Sequence, residues 1–170
     1  MIDFAQDFVA YLMRLRESNA GTLAKLRRSL SFAPGAYWPA IPLVERFVPV
    51  ECHAQNPRRL ALYVIAGLFA LHPQTASRSL AASFGELMHR RDSSSIEKRF
   101  IALLGADAEN LPDYLRQVVN LLAADDVGLD YATLLRDLGF WLNPHLDPEI
   151  RDRIRQRWAR DFYRASHHFR

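Results

Sequence analysis

The sequence predicts an all-α protein, two packed helical bundles of about eight or nine helices with no sheet. Three observations carry this. Apolar residues recur at three- and four-residue spacing along most of the chain. Cap-proline pairs (Asn56-Pro57, Asp147-Pro148) stand where helices should begin, and no segment alternates apolar and polar residues in the way a strand does.

The elements follow in order. Phe4, Phe8, Tyr11, Leu12 and Leu15 give a first helix over 3–17 one apolar side. Asn19 is placed to cap a second helix, which carries the stretch "GTLAKLRRSL" and ends near Ser31; its Leu23, Leu26 and Leu30 ask for a core. Pro34, Pro39, Pro42 and Pro49 fall within sixteen residues, which predicts a structured loop with one or two short helical turns. Asn56 followed by Pro57 is a cap with proline at the first helical position, opening a helix that runs to His72. A fifth helix is expected over 78–89.

The polar break "RRDSSS" divides the chain into an N-terminal bundle, 1–92, and a C-terminal bundle, 93–170. Ser94 with Glu97 three residues on forms the pattern of a capping box, ahead of Ile96, Phe100, Leu103 and Leu104. Pro112 starts the next helix, with Tyr114, Leu115, Val118, Leu121 and Leu122 inward. Asp130 caps another, through Leu134, Leu135, Leu138 and Trp141. Asp147-Pro148 launches the last, with Ile150, Ile154, Trp158 and Phe162 four residues apart. Trp141 and Trp158 lie on apolar stripes and are expected in the core.

Composition narrows the class. Of 170 residues, 49% are hydrophobic and 24% charged, ordinary for a soluble globular protein. The single cysteine, Cys52, allows no disulfide within the chain and fits a reducing compartment. The first residues carry early acids and charges at helical spacing, unlike a secretory signal. The longest uncharged apolar run, "LALYVIAGLFAL", has twelve residues where a membrane span needs roughly 20. It reads as a buried helix, so a cytoplasmic protein without membrane contact is expected.

No Gly-rich phosphate loop, GxSxG or HExxH is present. Cys52 and His53 are adjacent rather than at ligand spacing. Asp125, Asp126 and Asp130 can be drawn as a Mg²⁺ cluster, but they read better as a helix end, a turn with Gly128 and a cap. His167 and His168 are expected exposed near the end of the last helix. The expectation is no catalytic residue, no metal and no cofactor.

Charge is segregated. Residues 1–92 hold eleven basic and seven acidic side chains, 93–148 four and nine, and 149–170 seven and three. Such a pattern suggests a polyanion for part of the surface. Lys25, Arg27 and Arg28 follow one another with no acid between them; Arg58-Arg59, Arg90-Arg91 and Lys98-Arg99 are further basic pairs, and Arg116 and Arg136 stand in acidic surroundings. Arg153, Arg157, Arg160 and Arg164 make a stripe on the last helix, with Asp161 their close compensator, and like charges so spaced repel. A solvated face is the plain alternative. Tyr37 and Trp38 lie in the Pro-rich loop, where an aromatic can stack on a base; a plug between helices is the expected place of Trp38.

Five segments in order resemble the CasB family, the small subunit of the type I-E CRISPR surveillance complex, Cascade. They are "LAKLRRSL", "NPRRLALYVIAGLFALHP", "SSSIEKRFIALLGA", "LPDYLRQVVNLL", and "LDYATLLRDLGFWL" followed by "RQRWARDFY". The resemblance implies a non-catalytic helical subunit that works beside the backbone and large subunits, guide RNA and target DNA. A second copy would lie head to tail. The basic surface would stabilise the guide–target R-loop and hold the displaced non-target strand without sequence specificity.

Lys25, Arg27, Arg28, Arg58, Lys98, Arg99 and Arg116 match basic positions in the family's segments. Arg59, Arg153 and Arg157 are added from the charge pattern alone. Asp107, Glu109, Asp113 and the Asp125-Asp126 pair are candidates for an acidic docking counterpart. Two other classes remain: a stand-alone helical DNA-binding regulator with a helix-turn-helix, and a structural adaptor whose charges bind protein only.

Overall fold

The computed structural model describes residues 3–167. Its α-helices are α1 (Phe4–Ser18), α2 (Ala20–Arg28), α3 (Ile41–Val44), α4 (Pro57–Leu71), α5 (Leu80–Arg91), α6 (Ser94–Leu104), α7 (Leu111–Ala124), α8 (Tyr131–Trp141) and α9 (Pro148–Ser166). Among the described residues there is no strand, only an isolated parallel bridge between Thr75 and Leu129. The all-α expectation holds. His168 lies outside the described residues.

Most helix starts are made by the side chains that predict them. Asn19, Asn56, Asp130 and Asp147 each accept a hydrogen bond from a backbone N–H of the first turn they precede, and Asp3 and Ser79 do the same for α1 and α5. The capping box at α6 does not form. The N-cap is Ser93, whose hydroxyl bonds that of Ser95, and Glu97 instead accepts from the Tyr163 hydroxyl at 2.7 Å. A phenol brought in by α9 has displaced a local contact.

The Pro-rich loop folds as two 3-10 turns, Trp38–Ala40 and Glu45–Phe47, flanking α3. Ala40 and Val44 are its buried residues, and Phe47 packs on α1, 5.0 Å from Phe8 and 4.6 Å from Tyr11. Trp38 is 76% exposed, so the plug expected of it is overturned.

α4 is the centre. Every residue from 61 to 70 is buried, because α1, α2, α7 and α8 surround it. Leu30, on the 3-10 turn Ser29–Ser31 that extends α2, sits on Gly67 of α4, where a Cβ would come within 2.5 Å of its side chain. That close approach fixes the end of α2. Farther along, α5 packs along α9, with the Phe100 ring of α6 stacked on Phe162 at 3.9 Å. Trp141 and Trp158 meet edge to face at 5.0 Å and are both buried, as expected.

The α4–α5 and α7–α8 connections are bolted together. Tyr131 donates to the carbonyl of His72 at 2.6 Å, the His72 ring contacts the carbonyl of Val127 at 2.7 Å, and the Ser83 hydroxyl donates to that of Gly128 at 2.8 Å. All of these groups are buried, where an unpaired polar atom would cost about 1–3 kcal/mol.

Candidate nucleic-acid interface

The cations singled out from the sequence separate into three groups according to what holds them. Lys25, Arg28, Lys98 and Arg153 are exposed and make no hydrogen bond or ion pair among the described residues. They stand out because the apolar stripes of α2, α6 and α9 (Leu23 and Leu26; Ile96, Phe100 and Leu103; Ile154, Trp158 and Phe162) face inward.

Arg27, Arg99 and Arg116 are held by neutral acceptors. Arg27 Nη1 donates to the carbonyl of Ala70 at 3.4 Å, on the last turn of α4, where a helix C-terminus favours a cation. Arg116 Nη1 donates to the carbonyl of Leu30 at 3.3 Å, and Arg99 Nη1 to Gln117 Oε1 at 3.4 Å. The Arg116 bond ties α7 to the turn that extends α2 across the division at residue 92, the Arg99 bond ties α6 to α7, and the Arg27 bond ties α2 to α4. A carbonyl or carboxamide carries no net charge, so each guanidinium is oriented while its charge stays uncancelled.

Arg58, Arg59 and Arg157 face carboxylates. Arg58 lies 3.6 Å from Glu51. It is also twelve residues before Ala70 on α4, about 18 Å along the helix axis, so it is remote from Arg27. Arg59, with its side chain only 12% exposed, pairs with Glu45 at 3.2 Å and lies over the Tyr63 ring at 4.9 Å. Arg157 pairs with Asp137, whose other oxygen accepts from Trp158 Nε1 at 2.8 Å. Asp161 is engaged by the Ser79 hydroxyl at 2.9 Å.

Other charged groups fall into the same scheme. Arg90 and Arg91 face Glu86 and Asp125, and Arg136 pairs with Asp3. The hydrogen bond from Arg91 holds the Asp125 carboxyl below its ordinary range. Asp126 sits at positive φ in the turn and Asp130 caps α8, so the three aspartates make a helix end, a turn and a cap. Among the described residues no group of three His, Cys, Asp or Glu is placed to hold a metal ion, and no helix is long and apolar enough to cross a membrane.

Among the cations that the sequence did not single out, Arg16 of α1 donates to the carbonyl of Pro73 at 3.0 Å, just past the end of α4 that Arg27 also contacts. Glu17 beside it masks it in any charge count, and its acceptor is 57 residues away.

A family model described as CRISPR-associated protein Cse2 matches residues 22–163. The CRISPR-associated protein Cse2 of Thermus thermophilus is 40% identical over 163 residues, covering 94% of this chain and 89% of that protein. The crystal structure of CasB from M. ruber is 38% identical, with a TM-score of 0.79 over 97% of this chain and 95% of that one. A chain of a solved CRISPR RNA-guided surveillance complex shares the fold, with a TM-score of 0.79 at 23% identity over 96% of this chain and 93% of its own. Sequence and fold agree along nearly the whole length: the chain belongs to the CRISPR-associated Cse2 family, whose solved members also carry the name CasB.

Proposed function

We propose that this protein is the non-catalytic small subunit of a type I-E CRISPR surveillance complex, Cascade, in the cytoplasm. Its basic surface stabilises the guide RNA–target DNA R-loop and holds the displaced non-target strand without reading sequence. The partners are the backbone and large subunits, guide RNA, target DNA and a second copy placed head to tail. Family membership supports the assembly. The observation that supports the nucleic-acid role is the row of uncancelled cations on α2, α7 and α6, where Arg116 ties α7 to the turn after α2 and Arg99 ties α6 to α7.

Exchanging a DNA duplex for a guide–target heteroduplex is nearly neutral in free energy, so contacts to the sugar-phosphate backbone tip it. Such contacts need spaced cations and no base-reading pocket. Lys25, Arg27, Arg28, Lys98, Arg99 and Arg116 supply them. Arg58 and Arg153 lie outside that row as secondary contacts, and Arg59 and Arg157 serve nucleic acid only if their carboxylate partners yield.

The test is binding of the purified protein to unrelated single- and double-stranded oligonucleotides across a salt series, beside a variant carrying Arg27→Glu, Arg28→Glu and Arg99→Glu. Sequence-blind binding that weakens with salt, by roughly 0.7 to 0.9 in log–log slope per phosphate contact, and that vanishes in the variant is expected. Sequence-specific protection would favour a regulator. Absence of any salt-sensitive binding, alone or assembled, would favour a protein-only adaptor.

A further inference from the structure

A cleft of about 660 Å³ lies between the segment after α2 and the start of α7, and one cation of the row, Arg116, lines it. That volume lies within the roughly 300–1,000 Å³ of small-molecule sites. Arg116 belongs to both features, since it holds the Leu30 carbonyl and lines the cleft. Phe32 forms part of the wall. One face of its ring is stacked on Tyr37 at 4.7 Å with a 24° tilt, and the residue is still 48% exposed.

The polar lining carries both kinds of hydrogen-bonding group. Gln55 and Arg116 offer donors, and Glu109 and Asp113 offer carboxylates that have no ion-pair partner among the described residues. Two carboxylates make the interior hostile to a phosphate. Arg28, one residue before Ser29 of the wall, and Arg99, bonded to Gln117 beside Arg116, put cations on the flanking elements that suit one. A flat, uncharged ring with donors and acceptors on its edge satisfies the inside; its phosphodiester chain satisfies the outside.

Building on the function proposed above, we infer that this cleft receives an unstacked nucleobase from a single strand whose backbone crosses the α2–α7–α6 face, with the open side of Phe32 as the stacking platform. Bases paired in a duplex have no free face to offer, so the cleft favours single strands. The mixture of donors and acceptors suits any of the four bases, as an aromatic platform does. Trp38, exposed immediately after Tyr37, gives a neighbouring base a second surface just outside.

The experiment compares a mixed-sequence single strand with an abasic strand of the same length and charge, each base-free position carrying a tetrahydrofuran linker. The intact strand should bind more tightly by about 5- to 150-fold, the range for one base stacked on an aromatic ring. Phe32→Ala should remove that difference and leave the affinity for the abasic strand unchanged, while Phe32→Trp should keep it. Thermal melts of both variants check that the fold is intact. Equal binding of the two strands by the unaltered protein overturns the inference and leaves the phosphate-holding face standing; a difference that survives Phe32→Ala overturns it as well. Binding of neither strand, by the protein alone or in the assembled complex, overturns the proposed function, and this inference with it.

Discussion

Gly85 of α5 lies against the backbone of Phe162 on α9: a Cβ at position 85 would stand 2.2 Å from the Phe162 carbonyl oxygen and 3.0 Å from the Ala165 side chain. Neither obstacle is the free end of a flexible chain. Gly85→Ala should therefore cost about 1–3 kcal/mol by forcing the helices apart, despite the roughly 1 kcal/mol by which alanine favours a helix over glycine. Gly105→Ala is the control, because its Cβ would meet nothing nearer than 3.7 Å. Thermal melts should show a drop of several degrees for the first, at about 2–4 °C per kcal/mol in a chain of this size, and none for the second.

The same interlock governs what happens when the chain is cut. Residues 1–92 keep α5 but lose α9, leaving Phe84 and Leu87 without Phe162 and its neighbours. Residues 93–170 lose α4, on which α7 and α8 pack. Each fragment alone should give a poorly dispersed NMR spectrum, and mixing the two should restore dispersion. Two well-folded separate fragments would show that the halves stand independently.

How each cation is held predicts which measurement its removal moves. Arg28→Gln and Lys98→Gln should each lower the log–log salt slope of DNA binding by roughly 0.7 to 0.9 and leave the melting temperature unchanged. Arg157→Gln should do the reverse. It strips a partner from Asp137, which is only 6% exposed, at a cost on the order of 1 kcal/mol with the slope unaltered.

Glu45 sets a pH dependence. Burial pushes its carboxyl up, but hydrogen bonds from Tyr63 at 2.5 Å and from Arg59, together with the Arg59 charge, outweigh this and hold it below its ordinary value of 4.5. On acidification the unfolded chain takes up its proton first. The stabilisation is thus complete above pH 4.5 and is lost as pH falls through the lowered folded value. Urea melts at neutral pH and below pH 4 should show that Glu45→Gln is less stable near neutrality and loses less on acidification.

Much of the fold was legible because its signals are local. A cap such as Asn56 or Asp130 acts on its own first turn, and the apolar spacing of α9 names Ile154, Trp158 and Phe162 as the buried side without reference to any other helix. The capping box at Ser94 failed for the opposite reason: Tyr163, 66 residues away from Glu97, competes for the same carboxylate. Trp38 misled because hydrophobicity alone does not reveal which side chains of the loop turn inward: Ala40 and Val44 are buried and Trp38 is not. The basic residues were visible as residues, but their partners were not. Nothing in the sequence separates Arg116, resting on a backbone carbonyl, from Arg59, locked to Glu45.

The bolts between the α4–α5 and α7–α8 connections are made by a phenol, an imidazole and a hydroxyl, each meeting a backbone carbonyl rather than a carboxylate. Buried contacts of that kind are almost blind to ionic strength, whereas an exposed row of cations feels every added counterion. Concentrated salt should consequently wash nucleic acid from this protein without loosening its frame. An ionic-strength titration then reports chiefly on the exposed charges, and the bare protein recovered from such a wash should rebind as soon as the salt is diluted.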